Sequence, residues 1–370
     1  MRLRRLFSLV STAAIVLGYF QTALAQCSTQ IVYPPRMGFG DNDLAAISGT
    51  SATDLWAVGW FKHDGIDQTL IEHFDGNNWT IVPSPNNPKY PVDALYSVSA
   101  DSSSDAWAVG RMRGNCNCDD SVRPLALHWN GSAWSEVPMP PVREESSESF
   151  VIGVSIDPTD PSDVWAVGYV PSLGIRGSQS DIFAEHWNGR KWEIIGVPRR
   201  KFFPTMFGVT TAPGGSAWAV GIDFGYGTRY SIMSWNGSSW STQASVNAHD
   251  RFNAVSAFAP NDVWAAGYLI EHFDGTKWSV ALDPRKTGDA MNAVSAIAPN
   301  DVWAAGDHGI LISWDGTAWI HWPTLLSASL TGIQALPGGA IAVGTLNDKG
   351  RLRSVSTLTS CTSDRLGIQR

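Results

Sequence analysis

Charged residues are scarce in this chain, and their scarcity excludes several classes of protein. Only 16% of the 370 residues are charged, against the ~25% usual in globular domains. Together with a hydrophobic share of 44%, this excludes a disordered chain, a collagen and a coiled coil. The formal net charge is −8. An acidic protein has no overall attraction for nucleic acid, so we expect no nucleic-acid partner.

Signatures of catalysis and of cofactor binding are also missing. The chain has no H-E-x-x-H, no G-x-S-x-G and no phosphate-binding loop. Of its four cysteines, Cys116 and Cys118 form a close pair on a predicted loop. Two thiols without a second pair make a poor zinc site, so a local disulfide is favoured over a metal or redox role. We therefore expect no metal and no cofactor.

Long apolar runs are absent beyond the first 25 residues. A basic start (Met1–Arg5), an apolar stretch (Leu6–Phe20) and Ala23-Leu-Ala25 match a secretory signal peptide at residues 1–25. No other stretch approaches the ~20 apolar residues of a membrane span. We expect residues 26–370 to form one exported domain, extracellular or periplasmic, with no membrane span and an oligomeric state that the sequence leaves open.

Tryptophan, in contrast, is abundant, and a repeat accounts for it. The chain has 18 Trp, of which 16 fall on two recurring phrases. The first phrase, D-x-W-A-V-G, recurs with spacings of 38 to 58 residues and begins at these positions: Asp54, Asp105, Asp163, Ser216, Asp262, Asp301 and, in a degenerate copy, Gly339. The second phrase, H-[WF]-[DN]-G-x-x-W, follows the first six copies. Such spacings are typical of propeller blades.

Each repeat predicts four short strands, which we label a to d. Strand a shows period-two alternation, strand b is the D-x-W-A-V-G phrase, and an Asp-Gly or Asn-Gly turn separates strands c and d. Seven such units without any helical pattern predict an all-β, seven-bladed β-propeller of four-stranded antiparallel blades.

The seventh repeat lacks its own strand d. The segment Thr29–Pro34 resembles the strand d segment Trp79–Pro83, so we expect the N-terminal strand to complete the last blade and close the ring. Cys27 and Cys361 then flank the position of the missing hairpin, and in an exported protein they should form a disulfide.

Residues that recur once per blade are interpreted as scaffold. The Asp of strand b and the His of strand c occur together in four blades, and the ends of these strands share one edge, so we expect hydrogen-bonded pairs. The alternative, metal-binding or catalytic histidines, is disfavoured because functional sites are rarely repeated in every blade. The Trp rows are likewise interpreted as core between blades, not as a ladder for sugar stacking.

The paired phrases carry a resemblance to known proteins. They resemble the repeats of secreted bacterial β-propeller proteins over nearly the whole chain after residue 25, and more loosely those of tectonin-type propeller lectins. The resemblance implies a propeller. Lectins, enzymes and scaffolds all use this fold, so it implies no single activity.

The two faces of the predicted propeller differ in their loops. We call the face with the a–b and c–d turns the turn face, and the face with the b–c loops and the d–a links the loop face. Turns on the turn face are short and uniform, whereas the predicted b–c loops are long in four blades: 61–68, 111–123, 170–180 and 222–229. Elaborated loops on a rigid scaffold usually carry binding residues.

Basic residues occur in six of the seven d–a links and point to an anion site on the loop face. The links contain these residues: Arg36, Lys89, Arg143, Arg199, Arg200, Lys201, Arg251, Arg285 and Lys286. Arg229, His63 and His308 complete the candidate ligand-binding set. The alternative interpretation is ordinary solvated charge, since acidic residues lie nearby.

Three hypotheses follow. The first is a secreted, non-enzymatic propeller that binds a carbohydrate or protein ligand on the loop face. The second is a lyase or hydrolase of an anionic glycan, with His249, Tyr226, Tyr230 or His63 as acid/base candidates. The third is a scaffold with no small ligand.

Overall fold

The structure, a computed structural model, describes most of the chain after residue 25. The described ranges are 26–38, 40–114, 121–142, 148–171, 181–198, 204–222, 232–246, 251–284, 290–324 and 327–362. They form seven four-stranded antiparallel sheets, which are the blades of a propeller. The predicted fold class is confirmed. Residues 1–25, the predicted signal peptide, lie outside the described residues, and no described helix is long and apolar enough to cross a membrane.

The blades follow the chain, and each runs from strand a to strand d. Blades 1 to 3 contain these strands: β2 (Asn42–Ser51), β3 (Asp54–His63), β4 (Ile66–Phe74), β5 (Trp79–Ile81); β6 (Val92–Ser102), β7 (Asp105–Arg113), β8 (Val122–Trp129), β9 (Trp134–Glu136); β10 (Phe150–Asp157), β11 (Asp160–Val170), β12 (Asp181–Asn188), β13 (Trp192–Ile195). Blades 4 to 6 contain these: β14 (Thr205–Ala212), β15 (Ser216–Ile222), β16 (Ile232–Trp235), β17 (Trp240–Gln243); β18 (Phe252–Ala259), β19 (Asp262–Gly267), β20 (Ile270–Phe273), β21 (Trp278–Leu282); β22 (Met291–Ala298), β23 (Asp301–Gly306), β24 (Leu311–Trp314), β25 (Trp319–His321).

The seventh blade combines the two ends of the described chain. Its strands are β26 (Ala328–Leu336), β27 (Gly339–Asp348), β28 (Arg351–Thr362) and β1 (Gln26–Val32), with β1 paired to β28. The predicted closure is confirmed, but the strands are longer than expected. Cys27 and Cys361 lie inside β1 and β28 and are register partners, rather than flanking the strands.

The innermost strands are linked by a belt of hydroxyl groups. In six blades a Ser or Thr of strand a accepts a hydrogen bond of 3.0–3.2 Å from a backbone N–H of the next blade. These acceptors are Ser48, Ser99, Ser155, Thr210, Ser256 and Ser295. Blade 7 has Gln334 at this position, and its amide donates to the Ala335 carbonyl oxygen. The belt satisfies strand-edge groups that face the axis.

A β-bulge recurs in strand a of every blade, close to the loop face. The pairing register with strand b skips one residue each time: Ala45, Tyr96, Ile152, Phe207, Asn253, Asn292 and Thr331. At the bulge, the last residue of the D-x-W-A-V-G phrase comes against a carbonyl oxygen of strand a. In blade 5, a Cβ at Gly267 would overlap the Arg251 oxygen. The phrase therefore ends in glycine because only glycine leaves room for the bulge.

Tryptophan fills the space between neighbouring blades near the turn face. The strand b Trp of each of blades 1 to 5 packs against two aromatic rings of the next blade, with centroids 4.8–6.0 Å apart. Trp165, for example, is 1% exposed and contacts Trp235 and Trp240. The interpretation of the Trp rows as inter-blade core is confirmed.

Candidate functional site

The turn face carries four His–Asp pairs that satisfy each other. In each pair the His Nε2 lies 2.8–2.9 Å from the Asp Oδ1: His73–Asp54, His128–Asp105, His186–Asp163 and His272–Asp262. Each imidazole also packs on the strand b Trp of its own blade, with centroids 4.2–4.6 Å apart. The predicted pairing is confirmed. These side chains hold strands b and c together and are engaged inside the blade.

Blades 4 and 6 have a serine in place of the histidine, and a different side chain fills the space in each. In blade 4 the Ser234 hydroxyl accepts a hydrogen bond of 2.7 Å from Gln243 Nε2. In blade 6 the Ser313 hydroxyl accepts one of 2.9 Å from Trp322 Nε1, and the Trp322 ring stacks on Trp303 at 5.9 Å. One of the two Trp residues outside the repeat phrases is thereby explained.

The c–d turns of blades 1 to 6 share one geometry. The side-chain Oδ1 of the turn Asp or Asn accepts two backbone N–H groups at 2.8–3.2 Å. The following glycine has a φ of 85–95°, which favours glycine. Hydrogen bonds from Thr276 and from the Lys277 backbone lower the pKa of Asp274 to about 2. The polar groups of these turns are therefore used within the turns themselves.

The loop face differs from blade to blade. The predicted loop 61–68 of blade 1 is wrong, because Phe61 pairs with Gln68 and the strands continue to a two-residue turn. That turn, Asp64-Gly65, has two positive φ angles, 50° and 81°, as a type I′ hairpin requires. Blade 7 closes its long hairpin in the same way. In blade 2 the strands also extend, to Arg113 and from Val122. Residues 115–120, 172–180 and 223–229 of the predicted loops of blades 2 to 4 lie outside the described residues.

The predicted site residues are only partly described. His63 ends β3, is exposed and lies 3.6 Å from Asp64. Arg251 stacks its guanidinium on Phe207 at 4.6 Å and donates from Nε to Asn253 at 2.7 Å. The other predicted ligand-binding, catalytic and local-disulfide residues lie outside the described residues, apart from His308, which is taken up below: Arg199, Arg200, Lys201, Arg229, Arg285, Tyr226, Tyr230, His249, Cys116 and Cys118.

Two further basic link residues are described. Arg36 is exposed, and Lys89 lies 5.1 Å above the Tyr90 ring. Lys89 and Arg251 thus each contact an aromatic ring of the scaffold, an arrangement that stabilises a cation locally. Arg143 and Lys286 lie outside the described residues.

The seven bulged residues of strand a divide the rim of the axis into two arcs. Blades 1 to 4 contribute the apolar or aromatic Ala45, Tyr96, Ile152 and Phe207, whereas blades 5 to 7 contribute the polar Asn253, Asn292 and Thr331. The polar residues reach the next blade. Asn253 and Thr331 donate to equivalent carbonyl oxygens, of Met291 and Leu44, and Asn292 donates to Ser329 at 3.3 Å. Sequence reasoning missed this division because the bulge positions cannot be seen in the repeat pattern.

A cavity of about 510 Å³ opens on the polar arc, where blades 6, 7 and 1 meet. Its charged lining residues are Asp43 from strand a of blade 1 and Asp307 from the b–c turn of blade 6. Ser327, which is exposed, and Asn347 also line it, as do three half-buried hydroxyl residues: Ser329, Thr331 and Thr345. The described lining contains no Lys or Arg. The short turn Asp307–Gly309 leaves this space uncovered.

Hydrogen bonds inside the wall use the hydrogens of these three hydroxyl groups. Ser329 donates to Asp307 Oδ1 at 2.7 Å, Thr345 donates to Asp43 Oδ1, and Thr331 donates to the Leu44 carbonyl oxygen at 2.7 Å. A hydroxyl has one hydrogen and two lone pairs. At these three residues the wall therefore presents oxygen lone pairs to the cavity.

The two carboxylates are held in place by donors from their own and from neighbouring blades. Asn292 Nδ2 donates to Asp307 Oδ1 at 2.9 Å, so two donors fix that oxygen. Burial raises the pKa of Asp43 to about 6, partly offset by a hydrogen bond from Trp60. At neutral pH Asp43 is therefore mostly ionised and poised to interact with a positive charge.

A second cavity, of about 350 Å³, lies on the outer side of the same turn in blade 6. His321, Trp322 and Pro323 line it, together with Ile310 and Leu311. His308 lines both cavities and has a φ of 57°, an uncommon conformation for a residue other than glycine. His308, which the sequence singled out, thus lies between the two cavities and lines both.

Two buried glutamates in strand c were not found from the sequence. Glu72 and Glu185 are 0% exposed, and neither carboxyl oxygen of either residue has a hydrogen-bond partner. Burial raises the pKa of each to about 8, so both are mostly protonated at neutral pH. They face the preceding blade, among apolar core residues, and not either cavity.

Blade 5 shows what the other two glutamates lack. The equivalent Glu271 accepts a hydrogen bond from the Val246 N–H at 3.2 Å. Val246 lies six residues after Trp240 of strand d in blade 4. The equivalent strand d residues are Trp134 in blade 2 and Thr29 in blade 7. Six residues after these the chain has Pro140 and Pro35. Proline has no N–H to donate. The missing partner is therefore a consequence of two prolines in the d–a links.

Comparisons with known proteins identify the fold but no more specific property. Solved structures with similar folds include YCF48 bound to a D1 peptide, with a TM-score of 0.57 and 15% identity, covering 90% of this chain and 97% of that chain. YCF48 from Cyanidioschyzon merolae has a TM-score of 0.54 and 16% identity, covering 89% and 98%. The WD40 propeller domain of Doa1 has a TM-score of 0.52 and 11% identity, covering 89% and 97%. No family model and no curated protein matches the chain.

The described residues do not gather into a metal site. Within the described ranges, no group of three or more His, Cys, Asp or Glu side chains is placed to hold a metal ion. The cavities instead offer hydrogen-bonding and apolar surfaces of the size that ligand pockets usually have.

Proposed function

We propose that this protein is a binding propeller that takes a peptide segment of a protein ligand on its loop face. The observation that carries the proposal is the contrast between the faces. Polar side chains of the turn face are paired within their blades, whereas two adjoining cavities open on the loop face. Irregular segments on a rigid scaffold are where binding residues concentrate.

A peptide is favoured over a carbohydrate by the shape and lining of these cavities. The two cavities adjoin at His308, which lines both. One contains two carboxylates and the other is lined by Trp322 and Pro323, so different side chains of one extended segment can enter each. Among solved structures of similar fold, one is a propeller bound to a peptide. The carbohydrate form of the hypothesis rests on the basic d–a links, two of which contact aromatic rings.

The proposal is tested by selecting ligands from unbiased libraries. A phage library of random 12-residue peptides and an array of neutral and acidic glycans are probed with the same protein. We expect enriched peptides whose binding weakens at least tenfold in Ser327→Trp, since Ser327 is an exposed lining residue of the larger cavity. The matched control is Ser279→Trp, an equally exposed serine on strand d.

The outcomes of the selection separate the hypotheses. Equal binding by both variants would contradict the loop-face site, and binding to acidic glycans alone would favour the carbohydrate ligand. Release of unsaturated or reducing ends from those glycans would establish the enzyme alternative, for which His63 is the described acid/base candidate.

Export and a ring-closing disulfide belong to the same proposal. The first 25 residues read as a signal peptide, and Cys27 and Cys361 are register partners on neighbouring strands. Peptide mapping of the exported protein without reduction should find this linkage. Free thiols at both positions, or Cys27 joined to Cys116 or Cys118, would contradict it. Loop-closure entropy predicts that Cys27→Ser with Cys361→Ser lowers stability by up to about 5 kcal/mol.

A further inference from the structure

We infer that the cavity between blades 6, 7 and 1 is a pocket for a positively charged side chain, a guanidinium or an ammonium group, of the peptide ligand. The inference rests on the proposed function and adds to it the chemical class of the residue that is recognised. Its evidence is the lining of the cavity, where the ionisable groups are two carboxylates and one histidine and where three half-buried hydroxyl groups already donate their hydrogens within the wall.

The direction of the hydrogen bonds decides the sign of the ligand. Ser329, Thr345 and Thr331 each donate their one hydrogen to an acceptor in the wall. What they can still offer is lone pairs, and so can the carboxylates. A ligand rich in N–H donors and positively charged complements this surface, because charge-assisted hydrogen bonds to carboxylates are stronger than neutral ones.

An anion is disfavoured in the same place. It would meet Asp43 and Asp307 at close range, with no described Lys or Arg in the lining to offset them. Of the two arginines that flank the lining residue Leu352, Arg353 is paired with Asp348 at 2.7 Å. An anion site on the basic links, if present, is therefore separate from this cavity.

The pocket is preformed, which favours binding. Asp307 is fixed by Asn292 and Ser329, and Asp43 by Thr345. The residues of these pairs come from three different blades, so the carboxylate positions depend on the ring and not on one loop. Groups held in place before binding lose less conformational entropy on binding.

The test uses small probes that isolate the charge. Saturation-transfer NMR titrations measure binding of Nα-acetyl-arginine methylamide, the lysine analogue, and the citrulline analogue, which has the shape of arginine without its charge. Glycylglycine amide reports an N-terminal ammonium. We expect the arginine or lysine probe to bind at least tenfold tighter than citrulline and glycylglycine amide, and more weakly as salt rises.

Variants locate the binding. Asp307→Asn and Asp43→Asn keep an oxygen acceptor for the neighbouring donors and remove the charge. We expect each to weaken binding of the arginine probe at least fivefold. Glu193→Gln, which removes one charge on strand d of blade 3, should leave it unchanged. Thermal unfolding of each variant confirms that the ring is intact.

The result that would overturn the inference is distinct from failure of the proposed function. Equal binding of arginine and citrulline probes, no binding of any probe, or unaltered binding by both folded Asp variants would each remove the cationic pocket. Selected peptides that still depend on Ser327 but show no preference for Lys or Arg would leave the proposed function standing. If no peptide is selected but the arginine probe binds in a charge-dependent way, the cationic pocket would stand and the proposed peptide function would be contradicted.

Discussion

The turn face and the loop face are built from the same strands but use their polar residues in opposite ways. On the turn face, His186 pairs with Asp163, and each c–d turn closes on its own Asp or Asn. On the loop face, residues that are not repeated, such as Asp307 and Asn292, line or support a cavity. The comparison teaches that the repeated polar residues bond within their own blades, while departures from the repeat shape the cavities for which we propose binding. Substitutions should separate the two: large losses of stability near the turn face, and losses of binding on the loop face.

The largest effect on stability is expected from Trp165→Ala. Trp165 is 1% exposed and contacts two Trp rings of the next blade. Its removal leaves a cavity in the seam between blades and should lower the free energy of unfolding by about 3–5 kcal/mol. Denaturant unfolding measures this. Tyr268→Ala, at an exposed aromatic residue in the b–c turn of blade 5 on the loop face, is the control and should cost about 1 kcal/mol or less. Equal losses of stability in the two variants would contradict the expected difference between the faces.

The next effect is a pH dependence of stability that comes from Glu72 and Glu185, which lie between the two faces. The pKa of each is raised by burial to about 8 from an ordinary 4.5. The folded protein therefore holds a proton that the unfolded chain releases, and the stability this contributes is full below pH 4.5 and is lost as the pH rises to about 8. Ionisation of each residue should lower the free energy of unfolding by on the order of a few kcal/mol across that pH range.

Replacing the two glutamates by glutamine should remove this pH dependence. Glu72→Gln and Glu185→Gln should each be more stable than the parent at pH 8 and close to it at pH 4.5, as measured by urea unfolding at both values. Glu271→Gln serves as a comparison, because Glu271 already has a backbone donor. A parent protein whose stability does not fall between pH 4.5 and pH 8 would contradict the account of these residues.

Much of the scaffold could be predicted from the sequence, because it repeats. The spacing of the Trp phrases predicted seven blades, the missing phrase after Leu358 predicted the closure, and the shared edge of strands b and c predicted the His–Asp pairs. The repeat pattern did not predict the β-bulges of strand a. The bulges at Asn292 and Thr331 follow from a glycine present in all seven copies, and their role depends on the neighbouring blade.

The candidate site was less accessible to sequence reasoning. Long loops and basic links drew attention to blades 1 to 4, whereas the described cavities lie beside the short turn at His308. The sequence singled out His308 in this turn but not the space that the short turn leaves uncovered beside it. No sequence pattern marked Asp43 as a site residue, because it shares a cavity with Asp307 only when the ring closes.

A smaller effect is expected for the His–Asp pair of blade 3. His186→Ala alone leaves Asp163 without its imidazole partner, and should cost about 1–2 kcal/mol. A double-mutant cycle with Asp163→Ala should give a coupling energy of about 1 kcal/mol, since the two groups interact directly. Ligand binding should be unchanged, as the pair lies on the turn face. Additive effects of the two substitutions would mean that the pair contributes through packing alone.

The smallest effect is expected at the hairpin tip of blade 7, on the loop face. Lys349 has a φ of 54° and precedes Gly350, with a φ of 85°. Asparagine tolerates this conformation better than lysine in a type I′ turn, so Lys349→Asn should raise stability by up to about 1 kcal/mol. Thermal unfolding gives the value. A loss of stability would show that the Lys349 side chain contributes more than its backbone conformation costs.

The assignment of binding to the loop face is tested most directly by hydrogen exchange. Backbone amide exchange is measured with and without a peptide enriched from the library. We expect slower exchange at Asp307–Leu311 and at Ser327–Thr331, which line the cavities, and no change in the c–d turns at Asp274–Lys277 and Asp315–Ala318. Protection confined to the c–d turns, or spread equally over both faces, would contradict the assignment.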